Sequence, residues 1–286
     1  MSSSKLKLLP ATVVIPVKNE EANLERCLKR LSRFAEVVVI DSGSTDRTLD
    51  IALAHGARIV DFQWNGQYPK KRNWFLLNDG PKMPWVLFLD ADELVSDTFC
   101  DEVAEVVSKD DDKKGFWLTY TNYFLGVPLK YGLSQRKLAF FRTGTAFYER
   151  IDEDGWSSLD MEVHEHPIVD GAIGEITVPI DHRDYKGLGK FIEKHREYAL
   201  WEARRFTKLA ESSFTWDSFT PRQRFKYRHL AKWWYPWFYF VFSYFIMRGF
   251  LDGAPGFYYA AYKAGYFQTI RLLIKEQSNS NPTQNF

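Results

Sequence analysis

Two acidic motifs each follow an apolar run. Asp90-Ala91-Asp92-Glu93 closes the run Trp85 to Leu89, and Asp41 opens the turn Ser42-Gly43-Ser44-Thr45-Asp46 after the β-branched run Val37 to Ile40. Carboxylates spaced D-x-D at the exit of a strand can point the same way and hold a hard divalent ion, leaving coordination positions for the phosphates of a substrate. Such an ion neutralises charge that develops on a diphosphate leaving group. The plainer alternative is that Asp92 and Glu93 cap the helix that follows, and that Asp41 is a turn former among Ser and Gly.

The elements that must position these carboxylates are legible in the hydrophobic pattern. From Ala11 the chain reads TVVIPV, a strand, and then NLERCLKRL, where Leu24, Cys27, Leu28 and Leu31 recur at helical spacing. The unit repeats: EVVVI as strand, a helix capped by Ser44 or Thr45 and carrying Leu49, Ile51 and Leu53, ARIVDF as strand, a helix from Lys70 to Asn78, and WVLFLD as a fourth strand. A further helix is predicted from about Ser96 to Val107. Unbroken apolar strands alternating with helices predict an α/β fold, a mostly parallel sheet with helices on both faces, and right-handed crossovers. Both acidic motifs then lie beyond the carboxyl ends of their strands, where doubly wound sheets bind ligands. After Lys113 the aromatic-rich segments FWLTYTNYFL, KLAFFRT and EITVPIDH predict antiparallel strands. The expected organisation is a nucleotide-binding half over 1–110, an acceptor-binding half over 111–185 and a helical extension over 186–286.

Composition narrows the class. The 286 residues include 10 Trp, 15 Tyr and 23 Phe, with 45% hydrophobic and 26% charged residues, which excludes disorder, collagen-like repeats and coiled coil. Cys27 and Cys100 are the two cysteines, and neither lies in a Cys/His cluster, so a disulfide framework and structural zinc are not expected. The net charge of +1 argues against a general nucleic-acid footprint. The first ten residues lack an apolar stretch of signal-peptide length, and no uncharged apolar run reaches the roughly 18 residues of a membrane span. A cytoplasmic protein is expected.

VVIPVKNE, VVVIDSGSTD, KKRN and VLFLDADE, in this order and at these intervals, resemble the inverting family 2 glycosyltransferases, which have the A-type nucleotide-sugar fold (GT-A). The resemblance covers residues 11 to about 185. It implies that Pro16, Asn19, Glu20, Asp41, Arg72, Asp90 and Ala91 bind the nucleotide sugar: Asp41 at the uracil or ribose, Arg72 near the base and diphosphate, and Asp90 at the ribose. It implies that Asp92 holds the metal–diphosphate, the metal being Mg²⁺ or Mn²⁺, with His182 of IDHRDY a second candidate ligand for metal or phosphate. Ser42 departs from the pattern, where an Asp is commoner.

An inverting transfer needs a carboxylate to deprotonate the acceptor hydroxyl as it attacks the anomeric carbon. Glu165 is the candidate, because MEVHE matches the position where similar family members carry the base. His164 is read as orienting it or approaching the metal. For any single loop His or Glu the alternative is a satisfied hydrogen-bonding role, and this is retained for His164, His166 and His182. The later segments, RKLAFFRTG, VHEHPIVDG, IDHRDYKGLGKF and RGFLDGAPGFYY, look like the lipopolysaccharide-core branch of the family, whose members add a β-linked glucose to an inner-core heptose. Relatives with this layout also act on lipid-linked exopolysaccharide intermediates. A UDP-sugar donor and a lipid-linked saccharide acceptor are implied.

The C-terminal third has a different surface. Nineteen aromatics lie between Phe225 and Phe267, and Arg222 to Lys232 holds five basic residues and no acidic one. Trp233 to Met247 is uncharged over 15 residues, shorter than the ~20 needed to span, and Pro236 interrupts it. With Trp and Tyr suited to the headgroup region and cations suited to anionic lipid, the segment reads as a helix in the interface, placing the protein peripherally on the inner face of the plasma membrane. The alternatives are a helix packed on the catalytic domain and a contact between two copies of the chain. Two other functions compete. A nucleotidyltransferase requires a Gly-rich loop after the first strand, where PVKNEEAN has no Gly. A membrane-peripheral nucleotide-binding module without transfer activity would tolerate loss of the D-x-D pair or the base, and both are present.

Overall fold

The computed structural model describes residues 8–109, 112–133, 135–151, 156, 157, 159–162, 165–211 and 219–280. The chain divides into two compact units: Met1–Tyr123 with Ser134–Tyr185, and Phe124–Leu133 with Lys186–Phe286. Residues of both expected halves, 1–110 and 111–185, share one sheet, and 124–133 falls in the second unit.

In that unit the elements run β1 (Leu9–Val17), α1 (Leu24–Leu28), β2 (Phe34–Asp41), α2 (Thr48–Ala54), β3 (Arg58–Asp61), α3 (Lys71–Asn78), β4 (Trp85–Phe88), β5 (Glu93–Leu94), α4 (Asp97–Ser108) and β6 (Lys113–Phe124). After β7 (Val127–Leu129), whose residues belong to the second unit, come β8 (Gln135–Arg142), β9 (Ala146–Tyr148), β10 (Pro167–Val169) and β11 (Ala172–His182). The sheet order is β3-β2-β1-β4-β8-β6-β11-β5, with β9 and β10 forming a separate ribbon. Strand β1 pairs in parallel with β2 on one side and β4 on the other, so the chain reverses its direction of travel across the sheet at β1. That reversal opens a crevice beyond the carboxyl ends, flanked by Asp41 and Asp90. The β1 residues Val13, Val14 and Ile15 have no exposure, as a strand covered on both faces requires. Trp85 stacks on Phe140 at 5.0 Å, carrying the aromatic core from β4 onto β8.

Two local expectations are corrected. Helix α2 starts at Thr48 rather than after Ser44 or Thr45. The Ser44 hydroxyl accepts the Asn19 N–H, and the Thr45 N–H is taken by Asn19 Oδ1, so both residues tie the second turn to the first instead of capping. Strand β11, expected to be antiparallel, runs parallel to β6 and is antiparallel only to the short β5. The β9–β10 ribbon carries the chain back to the start of β6, where Ala172 pairs with Lys113, before β11 sets out. Helix α4 is predicted well: Ser96 caps it by accepting the Phe99 N–H, and Phe99, Cys100, Val103 and Val106 are buried.

The second unit is helical: α5 (Gly187–Glu211), α6 (Pro221–His229), α7 (Tyr235–Val241), a π-helical turn (Phe242–Ile246), a 3-10 turn (Gly249–Asp252) and α8 (Gly253–Ser280). Its core joins Ala199 and Ala203 of α5 to Tyr227, Leu230, Phe267 and Ile270. Inside it, the Glu202 carboxylate accepts hydrogen bonds from Lys226 Nζ at 2.5 Å and the Tyr227 hydroxyl at 3.2 Å. The reversal between α7 and α8 is tight enough to need glycine: a Cβ on Gly256 would lie 2.1 Å from the Gly249 carbonyl oxygen. No helix among the described residues is long and apolar enough to cross a membrane.

His195 of α5 lies among the rings of Phe191, Tyr262 and Tyr266. Its Nδ1–H donates to the Phe191 carbonyl at 2.9 Å, and Nε2 faces Lys263 Nζ at 3.5 Å. Burial, and then the Lys263 cation, push its pKa down to about 4. The unfolded chain takes up this proton near pH 6.5 and the folded one does not, so stability is present above 6.5 and is lost as pH falls toward 4. In His195→Phe this loss should shrink by about 1–2 kcal/mol, solvent screening allowed for, as read by urea unfolding at pH 7 and pH 4.5.

Candidate active site

The exit of β4 is a cluster of compensated charge. Asp90 Oδ1 accepts a hydrogen bond from Arg72 Nη2 at 2.7 Å, and Oδ2 accepts one from Lys137 Nζ at 2.7 Å. Lys137 also donates to Glu93 Oε1 at 2.5 Å, while the second Glu93 oxygen takes the Asp90 N–H. Glu93 is buried, and burial raises its carboxyl above the usual range although Lys137 opposes this. Burial alone would depress Lys137, but Asp90 and Glu93 hold it well above its ordinary value. Lys137 is a site residue that the sequence reading missed. Its signal was a lysine directly before the apolar run LAFF of β8.

Asp92 is buried and faces His182 at the end of β11, with Oδ2 3.3 Å from Nε2. His182 Nδ1 donates to Asn122 Oδ1 at 2.9 Å, which turns Nε2 toward the carboxylate. Burial would lower the His182 pKa, but the Asp92 carboxylate raises it. An imidazole nitrogen directed at a carboxylate oxygen requires a proton or a metal ion between them, and one carboxylate with one imidazole so oriented is a donor set that fits Mn²⁺ better than the oxygen-seeking Mg²⁺. Among the described residues no three Asp, Glu, His or Cys side chains converge to hold a metal by themselves. Substrate oxygens would have to complete its coordination.

Four successive side chains from Lys70 to Asn73 reach four parts of the unit. Lys70 Nζ donates to Glu165 Oε1 at 2.9 Å. Lys71 Nζ reaches the Val17 carbonyl at the end of β1 and the Asp160 carboxylate at 3.1 Å. Arg72 reaches Asp90 and donates to the Glu162 carbonyl. Asn73 binds both backbone polar groups of Tyr148. The buried Glu162 carboxylate accepts the N–H groups of Arg72 at 2.9 Å and Asn73 at 3.0 Å, capping α3 from a distant segment. Glu165 itself is buried, and lines a narrow cleft with Trp64, Tyr68, Lys70, Asn73 and Glu162. His166 is exposed, and His164 lies outside the described residues.

At the neighbouring strand end, Asp41 shapes its own turn. Its Oδ2 accepts the N–H groups of Gly43 at 3.0 Å and Ser44 at 2.9 Å, and the Ser44 hydroxyl donates to Oδ1. Asn19 adopts φ 55° and bridges to Ser44 and Thr45, and the Glu20 N–H donates to the Thr48 hydroxyl at 2.8 Å. Pro16 is buried in β1 opposite Ile40, and Ala91 is buried between the two aspartates. The departure at Ser42 has a local reason: its hydroxyl donates to Asp160 Oδ2 at 2.5 Å, where an aspartate would set two carboxylates against each other. Asp160 and Glu162, like Lys70 and Asn122, carry site contacts that the sequence reading did not assign.

Residues 12–166 match the sequence model of the glycosyl transferase family 2. The chain belongs to this family. It is 29% identical over 177 residues to the lipopolysaccharide core biosynthesis glycosyltransferase LpsC of Rhizobium meliloti, an alignment covering 58% of this chain and 60% of that protein. An uncharacterized glycosyltransferase of Rickettsia conorii aligns at 24% identity over 90% of this chain and 86% of its own length. Matches to two further Rickettsia glycosyltransferases span 37% and 41% of those proteins. A solved structure of glucosyl-3-phosphoglycerate synthase from Mycobacterium tuberculosis, in complex with Mn²⁺, UDP and glucosyl-3-phosphoglycerate, is similar at TM-score 0.31 and 25% identity, covering 41% of this chain and 44% of that one.

Two substitutions test how this family 2 site is held. Glu162→Ala leaves the buried N–H groups of Arg72 and Asn73 without their acceptor, while the Arg72 guanidinium keeps Asp90 and the carbonyl of residue 162, and should cost about 2–4 kcal/mol in urea unfolding. Lys137→Met strands Asp90 beside Glu93, raising the Glu93 pKa further. Its cost of about 2–3 kcal/mol should be present at pH 8 and diminish toward pH 5, where the folded variant takes up the proton.

Proposed function

We propose that the chain is an inverting hexosyltransferase, transferring glucose by resemblance, from a UDP-sugar to a lipid-anchored saccharide in lipopolysaccharide or exopolysaccharide synthesis. Family membership supports glycosyl transfer, and similarity to LpsC, a glycosyltransferase of lipopolysaccharide core biosynthesis, supports a lipopolysaccharide-type acceptor. The observation that carries the reading is the pair of carboxylates at the β4 exit with different partners. Asp90 is held between two cations, Arg72 and Lys137, and Asp92 faces an imidazole.

In this reading the turn of Asp41 with Asn19 and Glu20 receives the nucleoside, and Arg72 and Asp90 align the ribose and diphosphate. A Mg²⁺ or Mn²⁺ ion held by Asp92 and His182 would take up negative charge on the departing diphosphate. Asn122 fixes the His182 ring so that Nε2 points to Asp92. Glu165 removes the proton of the attacking hydroxyl, and Lys70 fixes the direction of its carboxylate. The acceptor's lipid anchor places the reaction at the cytoplasmic face of the inner membrane.

A screen of nucleotide sugars for metal-dependent release of free nucleotide identifies the donor. With that donor, Glu165→Gln should lower transfer by about 10³-fold or more while UDP binding survives, and near-normal turnover would remove Glu165 from the role. Asp92→Ala should weaken Mn²⁺-dependent UDP binding at least about tenfold by calorimetry, and an unchanged titration would remove the metal from Asp92. Nucleotide binding with no release from any donor would favour a binding module without transfer.

A further inference from the structure

Among the described residues 26 large apolar side chains are exposed, and 12 of these fall between Phe225 and Tyr258, so the exposure is concentrated rather than scattered. Trp233, Trp237, Val241 and Phe245 recur every fourth residue through α7 and its π-helical turn, exposed by 69%, 67%, 48% and 55%. At the reversal Ile246, Phe250 and Leu251 continue the exposed surface.

The reversal is braced. The Asp252 carboxylate accepts the N–H groups of Lys130 at 3.0 Å and Tyr131 at 2.9 Å, and the Gly132 N–H donates to the Met247 carbonyl at 2.9 Å. Gly249 and Gly256 pack so closely that a Cβ on either would meet backbone at 2.9 Å or less. An apolar apex held in this way needs little ordering when it meets a partner.

Charge selects the partner. From Pro221 to Leu251 there are six Lys and Arg residues and no Asp or Glu. Arg222, Arg228, Lys232 and Arg248 of this stretch are exposed. A second copy of the chain meeting this face symmetrically would set like charges together with no acid in the stretch to answer them. An anionic bilayer answers both properties: headgroups for the cations, the headgroup level for Trp233 and Trp237, and the upper acyl region for Phe245, Ile246 and Leu251. We propose that the reversal between α7 and α8 is a membrane-inserting wedge, entering the surface of an anionic lipid leaflet without spanning it. Nothing in this surface depends on which sugar the chain transfers.

The full-length chain, its Phe245→Asp/Ile246→Asp variant and its Arg222→Glu/Arg228→Glu/Lys232→Glu variant are compared in flotation with phosphatidylglycerol-containing and with purely phosphatidylcholine vesicles. Thermal unfolding and nucleotide-sugar hydrolysis confirm that each variant is folded. Wild type should partition onto the anionic vesicles, the apolar variant should lose at least about tenfold of that partitioning, and the charge variant should lose its preference for anionic lipid. Equal flotation of the wild type and the apolar variant would overturn the wedge. So would a wild type that ignores vesicles and sediments as a dimer that the apolar variant dissociates, since the face would then belong to a second copy.

Discussion

The capping of α3 by Glu162 is the interaction on which the candidate site depends. Helix α3 opens with Lys70, Lys71 and Arg72, three cations at the end of a helix whose own dipole is already positive. Without an answering anion this start would be unfavourable, and its buried N–H groups would lack acceptors. Glu162 supplies both, accepting two N–H groups through its carboxylate and the Arg72 guanidinium through its carbonyl. With the helix start fixed, the next charges can be placed. Lys70 is directed at Glu165, Lys71 at Asp160 and the β1 end, and Arg72 at Asp90. One short helix thereby sets the position of the segment carrying the candidate base relative to the strand exit carrying the D-x-D pair.

The same accounting explains why β8 and β11 belong in this sheet. Asp90, Asp92 and Glu93 gather three carboxylates within four residues, and removing such groups from water costs several kcal/mol each unless they are paired. Arg72 answers only one of them. Lys137 from β8 joins Asp90 to Glu93, and His182 from β11 meets Asp92. The acidic motif therefore requires strands beyond the nucleotide-type half, and 1–123 and 134–185 form one compact unit.

What was legible in the sequence was local. The alternation of apolar runs and helices gave the parallel strands β1 to β4, and the strand-end positions of Asp41 and Asp90 followed from it. Ser96 and the apolar spacing after it gave α4 to within a residue or two. What was hidden was pairing over distance: Lys70 meets Glu165 across 95 positions and Arg72 meets Glu162 across 90. No local pattern encodes which lysine answers which carboxylate. The direction of β11 was hidden for a related reason, because alternation marks a strand and its faces but not its sense, which the β9–β10 ribbon decides. The aromatic excess was legible as a quantity only. Trp85, Phe116 and Phe140 spend it on the core of the first unit, whereas Trp233, Trp237 and Phe245 leave it exposed on the second.

Ser42 and Asp160 show how a departure from a familiar motif can be read physically. An aspartate at position 42 would face Asp160, whose carboxyl pKa, against the opposing effect of burial, is already held below the usual range by Lys71 and the Ser42 hydroxyl. Serine donates where aspartate would repel. The turn after β2 is consequently joined by a hydrogen bond to Asp160, two residues before Glu162 in the chain. A nucleotide received at the Asp41 turn would act on the same short stretch that caps α3 and carries the candidate base. The Asp41 turn and the start of α3 are thereby tied to each other through Ser42, Asp160 and Lys71.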